Sequence, residues 1–321
     1  MTTGKVLTGA LLATLAAPAT WPLALAAFLL RGGILLVALP IVVLPTTVGI
    51  GNAVAPALTP VAFGSISAEL IVTVVAIALG ALAWLIVGGW LAATLEAEAT
   101  RIVASDDDLV ARSRAAGPGA PPAGGRVAGR ILVARLLASL PLALALALGS
   151  VRFVVVAYRE LTSPLDVGRS VALRVLLGVP EVVIAVVASW IFAEIVGALA
   201  ARRITLADSG VRVALRHAVE TCLRQPLTTL ARFGLPTLAL ALILVPSSLA
   251  AASAFGGTGA LLGEGSDPFR VLISVVVFVA LWAIGLVLTS VVCAWRGAVW
   301  TVAEAAGEGT FGWSSIRRPG H

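Results

Sequence analysis

Charged residues leave long stretches of this chain almost untouched. Residues 70–95, 233–255 and 271–295 carry no charge, residues 136–158 carry only Arg152, and residues 182–201 carry only Glu194. The stretch 32–68 is also uncharged, but it is too long for one crossing, and Pro45, Gly49, Gly51, Asn52, Pro56 and Pro60 fill its second half. A helix needs about 20 apolar residues to cross the hydrocarbon core. The pattern predicts spans at 28–50, 70–95, 136–158, 182–201, 233–255 and 271–295. Gly256-Gly257-Thr258-Gly259 reads as a loop after the fifth. A rival seventh span at 6–30 is interrupted by Pro18 and Pro22 and would need a very tight turn at Arg31-Gly32-Gly33. Lys5, the apolar residues 6–16 and Ala17-Pro18-Ala19 imitate a signal peptide, but the basic start is thin and Pro18 sits badly near a cleavage point.

Composition supports the same solvent. The chain is 60% hydrophobic and 12% charged, against roughly 25% charged for a soluble domain. Its formal charge of +6 reads as orientation rather than as nucleic-acid binding. With both ends in the cytoplasm, the inside segments hold 17 Lys and Arg and the outside segments hold five: Arg152, Arg159, Arg169, Arg174 and Arg270. Basic residues concentrate on the cytoplasmic side. They face anionic lipid headgroups there. The expected location is the cell membrane.

The spans also pair at a near-constant spacing of about one hundred residues, the kind of period that signals a repeat. Spans one, three and five begin near 28, 136 and 233. Trp90 and Trp190 fall late in spans two and four, and Trp295 ends span six. Thr100-Arg101-Ile102 after span two resembles Arg202-Arg203-Ile204 after span four, and each runs on to an aspartate, Asp106 or Asp208. The third copy, at 300–307, is degenerate. Residues 211–224 form an amphipathic pattern, with Arg212, Arg216, Glu220 and Arg224 at steps of four and Val211, Leu215, Ala218, Val219 and Cys222 opposite. Glu220 can pair with both neighbouring arginines, and Pro226 closes the helix. Leu7, Leu11 and Leu15 make a weaker stripe of the same kind. Basic amphipathic helices lie in the membrane interface.

The expected fold is therefore an all-α integral membrane protein of six transmembrane helices. They form three repeated helical hairpins with cytoplasmic interfacial amphipathic helices. The repeat units run about 1–105, 106–208 and 209–307, with a flexible Gly/Pro/Ala-rich linker at 117–125 and a short cytoplasmic tail at 308–321. This layout resembles the membrane domain of bacterial glycerophosphodiester phosphodiesterases and related uncharacterised membrane proteins. The resemblance rests on residues 211–226 and the hairpin order. It implies a fold, no activity and no site residues.

Charges inside spans are costly, which makes them functional candidates. Glu194 is the first, as a relay carboxylate or as a structural partner of an arginine on a neighbouring helix. Arg152 is the second, ending span three at the outer interface or pointing into the bundle. The interfacial basic helix offers Arg212, Arg216 and Arg224. Glu69 and Glu181 open spans two and four, where the helix dipole favours an acid. Arg31, Arg232, Arg270 and Arg296 read as snorkelling residues at span ends. Trp21, Trp90, Trp295 and Trp300 read as interfacial belts. Ala76, Gly80, Trp84 and Gly88 form one small-residue stripe, and Ala145 and Gly149 another. The outside segment 158–174 is well charged, and 165–177 reads as a further surface helix after Pro164.

Asp106-Asp107-Asp108 reads as a helix cap. His217 and His321 are too far apart in sequence to suggest a zinc site or proton chain, and Cys222 and Cys293 give neither a disulfide framework nor metal spacing. No Ser-His-Asp set, HExxH, P-loop or dinucleotide fingerprint is present. The sequence predicts no catalytic, cofactor or metal residues and no enzyme. It points to a membrane-organising or accessory protein, with bilayer lipid and a membrane protein as partners. The alternative is a transporter or permease for a lipid or small hydrophobic molecule, for which Pro40 and Pro45 in span one and Pro236 and Pro246 in span five are the argument.

Overall fold

The computed structural model describes residues 2–38, 67–105, 125–162, 171–263, 265 and 267–308. Among them every regular element is helical. In chain order these are α1 (Thr3–Ala16), α2 (Thr20–Ala38), α3 (Ala68–Ala104), α4 (Gly125–Ala138), α5 (Leu140–Thr162), α6 (Val171–Gly178), α7 (Pro180–Ala207), α8 (Val211–Arg224), α9 (Pro226–Gly263) and α10 (Pro268–Glu308). Six of them, α2, α3, α5, α7, α9 and α10, are long and apolar enough to cross a membrane, as expected of a multi-pass protein. Their leucines, valines and isoleucines are largely exposed, as in Leu148, Val154, Ile77 and Leu242. In lipid that surface is solvated and the backbone must satisfy itself, which a helix does.

The starts obey local rules. Ser67 caps α3, its Oγ accepting from the Leu70 N–H at 3.2 Å, with Glu69 in the first turn. Pro180 and Glu181 open α7, where a missing N–H costs nothing and an acid meets the dipole. Helix α8 has the predicted bounds and ends at Arg224, just before Pro226 opens α9.

Several bounds differ from the sequence expectation. Helix α2 starts at Thr20, not residue 28, and reaches Ala38 across a kink at Arg31-Gly32-Gly33. The kink centres on Gly32, whose φ of 101° is not helical, near the end of the π-helical segment Leu29–Gly33. Arg31 thus sits inside the helix rather than at its start. The rest of the predicted first span, 39–50, lies outside the described residues, as do Pro40 and Pro45. The rival seventh span dissolves, because α1 stops at Ala16. Gly256–Gly259 is not a loop: α9 continues to Gly263. With no water to take up free carbonyls, the helix persists through glycines, and Thr258 donates back to the Ala254 carbonyl at 2.9 Å. Helix α10 likewise continues past Trp295 to Glu308 over 41 residues. At 1.5 Å per residue that is about 60 Å, twice a hydrocarbon core of about 30 Å. Trp300 is buried, so it is a packing residue and not part of a belt. Also outside the described residues are Asp106–Asp108, most of the linker, Pro164, Asp166, Arg169 and the residues after 308.

The described chain divides into two compact units. The first holds Met1–Ala13, Thr100–Gly234 and Gly297–His321. Helix α7 is its axis, packed by α4, α5 and α8. Its run from Ile195 to Ala201 is buried and rich in alanine and glycine. Two close approaches fix this pairing. A Cβ on Gly149 would fall 2.4 Å from Cγ1 of Val182, and one on Gly197 would fall 3.3 Å from the Arg135 side chain. Val156, Val175 and Val179 form a small core under α6. The second unit holds Thr14–Ala99 and Leu235–Arg296. In it the π-helical turn of α2 meets another in α3, Trp84–Gly88. Helices α9 and α10 form an antiparallel pair, with Ser247 facing Gly285, Phe255 facing Phe278 and Thr258 bonded to Ser274.

Candidate functional site

Charges buried among helices are the chemistry this chain can offer, and most are tied to an opposite charge or to backbone carbonyls; Arg232, half-buried on α9, has an Nε with no hydrogen-bond partner among the described residues. In the second unit Arg31, carried on the π-helical turn of α2, pairs with Glu96 on α3. Only 6% of the Glu96 side chain is exposed. The pair links segments 65 residues apart.

In the first unit a second buried carboxylate, Glu304 on α10, meets two basic side chains. Arg203 of α7 and His217 of α8 both reach its Oε1, each at 3.3 Å. Beside it Arg202 donates to the Gly297 carbonyl at 3.2 Å. Arg130 of α4 closes the C-terminus of α7, at 2.9 Å from the Asp208 carboxylate and within reach of the Asp208 and Ser209 carbonyls. Asp208 holds a left-handed φ of 48° as the C-cap. A cation at a helix C-terminus complements its dipole. A third group occupies the far end of α5, where buried Glu160 lies 3.6 Å from both Arg159 and Arg174.

The candidates named from sequence fall as follows. Arg152 is exposed and pairs with Glu181 at 3.2 Å, so it joins α5 to the start of α7. Glu194 is half-buried on α7 and is not an isolated charge. On α8, Arg212, Arg216 and Arg224 are all exposed. Arg216 pairs with Glu220 at 2.8 Å, and its hydrogen bond holds that carboxyl below the usual carboxylate range. The face of α8 that packs is Ala214 and Ala218, against α7 and α4. Burial pushes the Cys222 thiol up to about 11. Of the small-residue stripes, Gly149 and Gly88 meet neighbours, whereas Gly80 meets none within 4 Å.

Glu96 and Glu304 were not singled out by sequence. Each follows a tryptophan by one to two turns, Trp90 and Trp300, much as Glu194 follows Trp190. That spacing was the available signal. Among the described residues no cluster of His, Cys, Asp and Glu could hold a metal. One cavity, of about 20 Å³, opens between α9, α10 and Val37 of α2. Comparison with known proteins gives no match, whether to a protein-family model, a curated protein or a solved structure.

Proposed function

We propose that this chain is a non-enzymatic membrane-organising protein that gathers anionic lipid at the cytoplasmic face of the cell membrane. The observation that carries the reading is α8. Its alanine face is fixed against α7 and α4, while Arg212, Arg216 and Arg224 stay exposed beside Leu223 and Leu227. A basic helix with apolar neighbours matches a headgroup layer, at about 1 kcal/mol per basic residue near an anionic surface. The helix pairs α5/α7 in the first unit and α2/α3 and α9/α10 in the second support a reading as three hairpins. The cytoplasmic placement of both ends rests on the Lys and Arg bias.

The test uses the full chain in nanodiscs of mixed phosphatidylglycerol and phosphatidylcholine. Native mass spectrometry should find phosphatidylglycerol retained over phosphatidylcholine, and the R212Q/R216Q/R224Q variant should lose that preference. Equal retention of both lipids by the wild-type chain refutes the reading. Transport of a lipid or small hydrophobic molecule is the second reading, supported by the cavity beside Pro246. It predicts protein-dependent movement of a labelled lipid between leaflets of reconstituted vesicles. Recovery of a stoichiometric membrane partner instead marks an accessory subunit.

A further inference from the structure

The pair α9/α10 crosses the membrane as two uncharged stretches, 233–263 and 271–295. Ser247 and Ser248 stand at the middle of the first, and Trp282 and Gly285 at the middle of the second. The cavity lies there, at the depth where polar groups are most costly. Its walls are Val37, Leu244 and Leu286 on the apolar side and Ser247, Ser248, Trp282 and Thr289 on the polar side, with Gly285 between.

Hydroxyls in membrane helices usually turn back to the carbonyl three or four residues earlier. Ser247 does so to Ile243 and Leu244, Ser253 to Leu249, Thr258 to Ala254 and Ser290 to Val287. Thr289 and Ser248 do not. Among the described residues neither hydroxyl has a hydrogen-bond partner, although Thr289 is only 1% exposed. The Trp282 indole N–H makes only a long 3.4 Å contact with the Val37 carbonyl. Pro246, one residue before the serines, lacks the N–H that would close the helix there. A buried polar group without a partner is rare and calls for a ligand or a water.

We infer that this cavity is a hydration site at the bilayer midplane, holding one water bound by Ser248 and Thr289. Its volume of about 20 Å³ exceeds the roughly 10–15 Å³ that a single water needs, and the four polar walls meet its need for two to four partners. No lining residue is charged, so the guest is neutral. Gly285 keeps the room open: a Cβ there would fall 2.9 Å from Cβ of Ser247.

Hydroxyl-radical footprinting of the full chain in nanodiscs, in H2-18O, tests this. The comparison is leucine with leucine: Leu244 and Leu286 in the cavity against lipid-facing Leu242 and Leu249. The expected result is a several-fold faster oxidation at the cavity pair, with 18O incorporated. That excess should vanish in S248A/T289V and persist in T289S. Cavity leucines no faster than Leu242 and Leu249 in the wild-type chain overturn the inference, and this comparison needs no variant to fold. An excess that survives S248A/T289V overturns it as well. So does a dry cavity together with a neutral hydroxyl-bearing lipid that copurifies one to one.

Discussion

Removing Glu96 from under Arg31 should destabilise the second unit far more than removing both residues. Glu96 is almost fully buried and the Arg31 side chain is 28% exposed. Opposite charges about 4 Å apart in an effective dielectric of about 20 attract by about 4 kcal/mol. Deleting one member of a buried pair typically costs about 3–5 kcal/mol, because the other charge stays behind. Arg31 can move its guanidinium partly toward the interface, so the expected loss for Glu96→Leu is near the low end, about 3 kcal/mol. Arg31→Met should cost at least as much, since it strands the more buried partner. The double variant Arg31→Met/Glu96→Leu replaces two desolvated charges with apolar side chains and should return to within about 1 kcal/mol of the wild type. The coupling between the two sites is then about 3 kcal/mol or more. Steric-trap unfolding in bicelles measures all four proteins. Additive losses, with a coupling under about 0.5 kcal/mol, would show that the contact carries no stabilising interaction.

Three further outcomes are expected. Gly149→Ala should cost about 1–3 kcal/mol by overpacking, since its Cβ would meet the stiff Val182 side chain; adding Val182→Ala should restore part of the loss in the same unfolding assay. The Glu220 carboxyl should titrate below the ordinary value of about 4.3. Its contribution is therefore present above that pH and lost as pH falls through the lower folded value; carbon-13 NMR should show Arg216→Gln moving the midpoint back up. With its thiol near 11, Cys222 should hold roughly a hundredfold less thiolate at pH 8 than an ordinary cysteine. Iodoacetamide should label it correspondingly slowly, and a rate like that of a free peptide thiol refutes the burial argument.

The sequence reveals solvent and local punctuation well, and distant partners badly. Ser67, Pro180 and Pro226 mark helix starts because caps and missing N–H groups act within one turn. The glycines at 256–259 mislead because their cost in water includes exposing backbone to solvent, and lipid removes that alternative for the backbone. Arg31-Gly32-Gly33 does mark a break, a kink at Gly32, after which the chain resumes the helix to Ala38. The carboxylates show the other limit. Glu220 was legible because its partner lies four residues away. The partners of Glu96 and Glu304 lie 65 and 101 residues away, where no periodicity reaches.

Those two glutamates also bear on which function is sustained. A proton or cation relay needs a carboxylate that can give up its partner during a cycle. Glu96 is bonded to Arg31, and Glu304 is shared by Arg203 and His217. Each carboxylate is thus engaged by a basic side chain carried on another helix. Such groups hold helices together rather than pass protons. Two neutral hydroxyls of the described membrane-spanning helices, Ser248 and Thr289, line the cavity between α9 and α10. If this chain moves anything across the membrane, the cavity favours a neutral molecule carried past α9 and α10, and Glu96→Gln should leave that movement intact wherever the protein still folds.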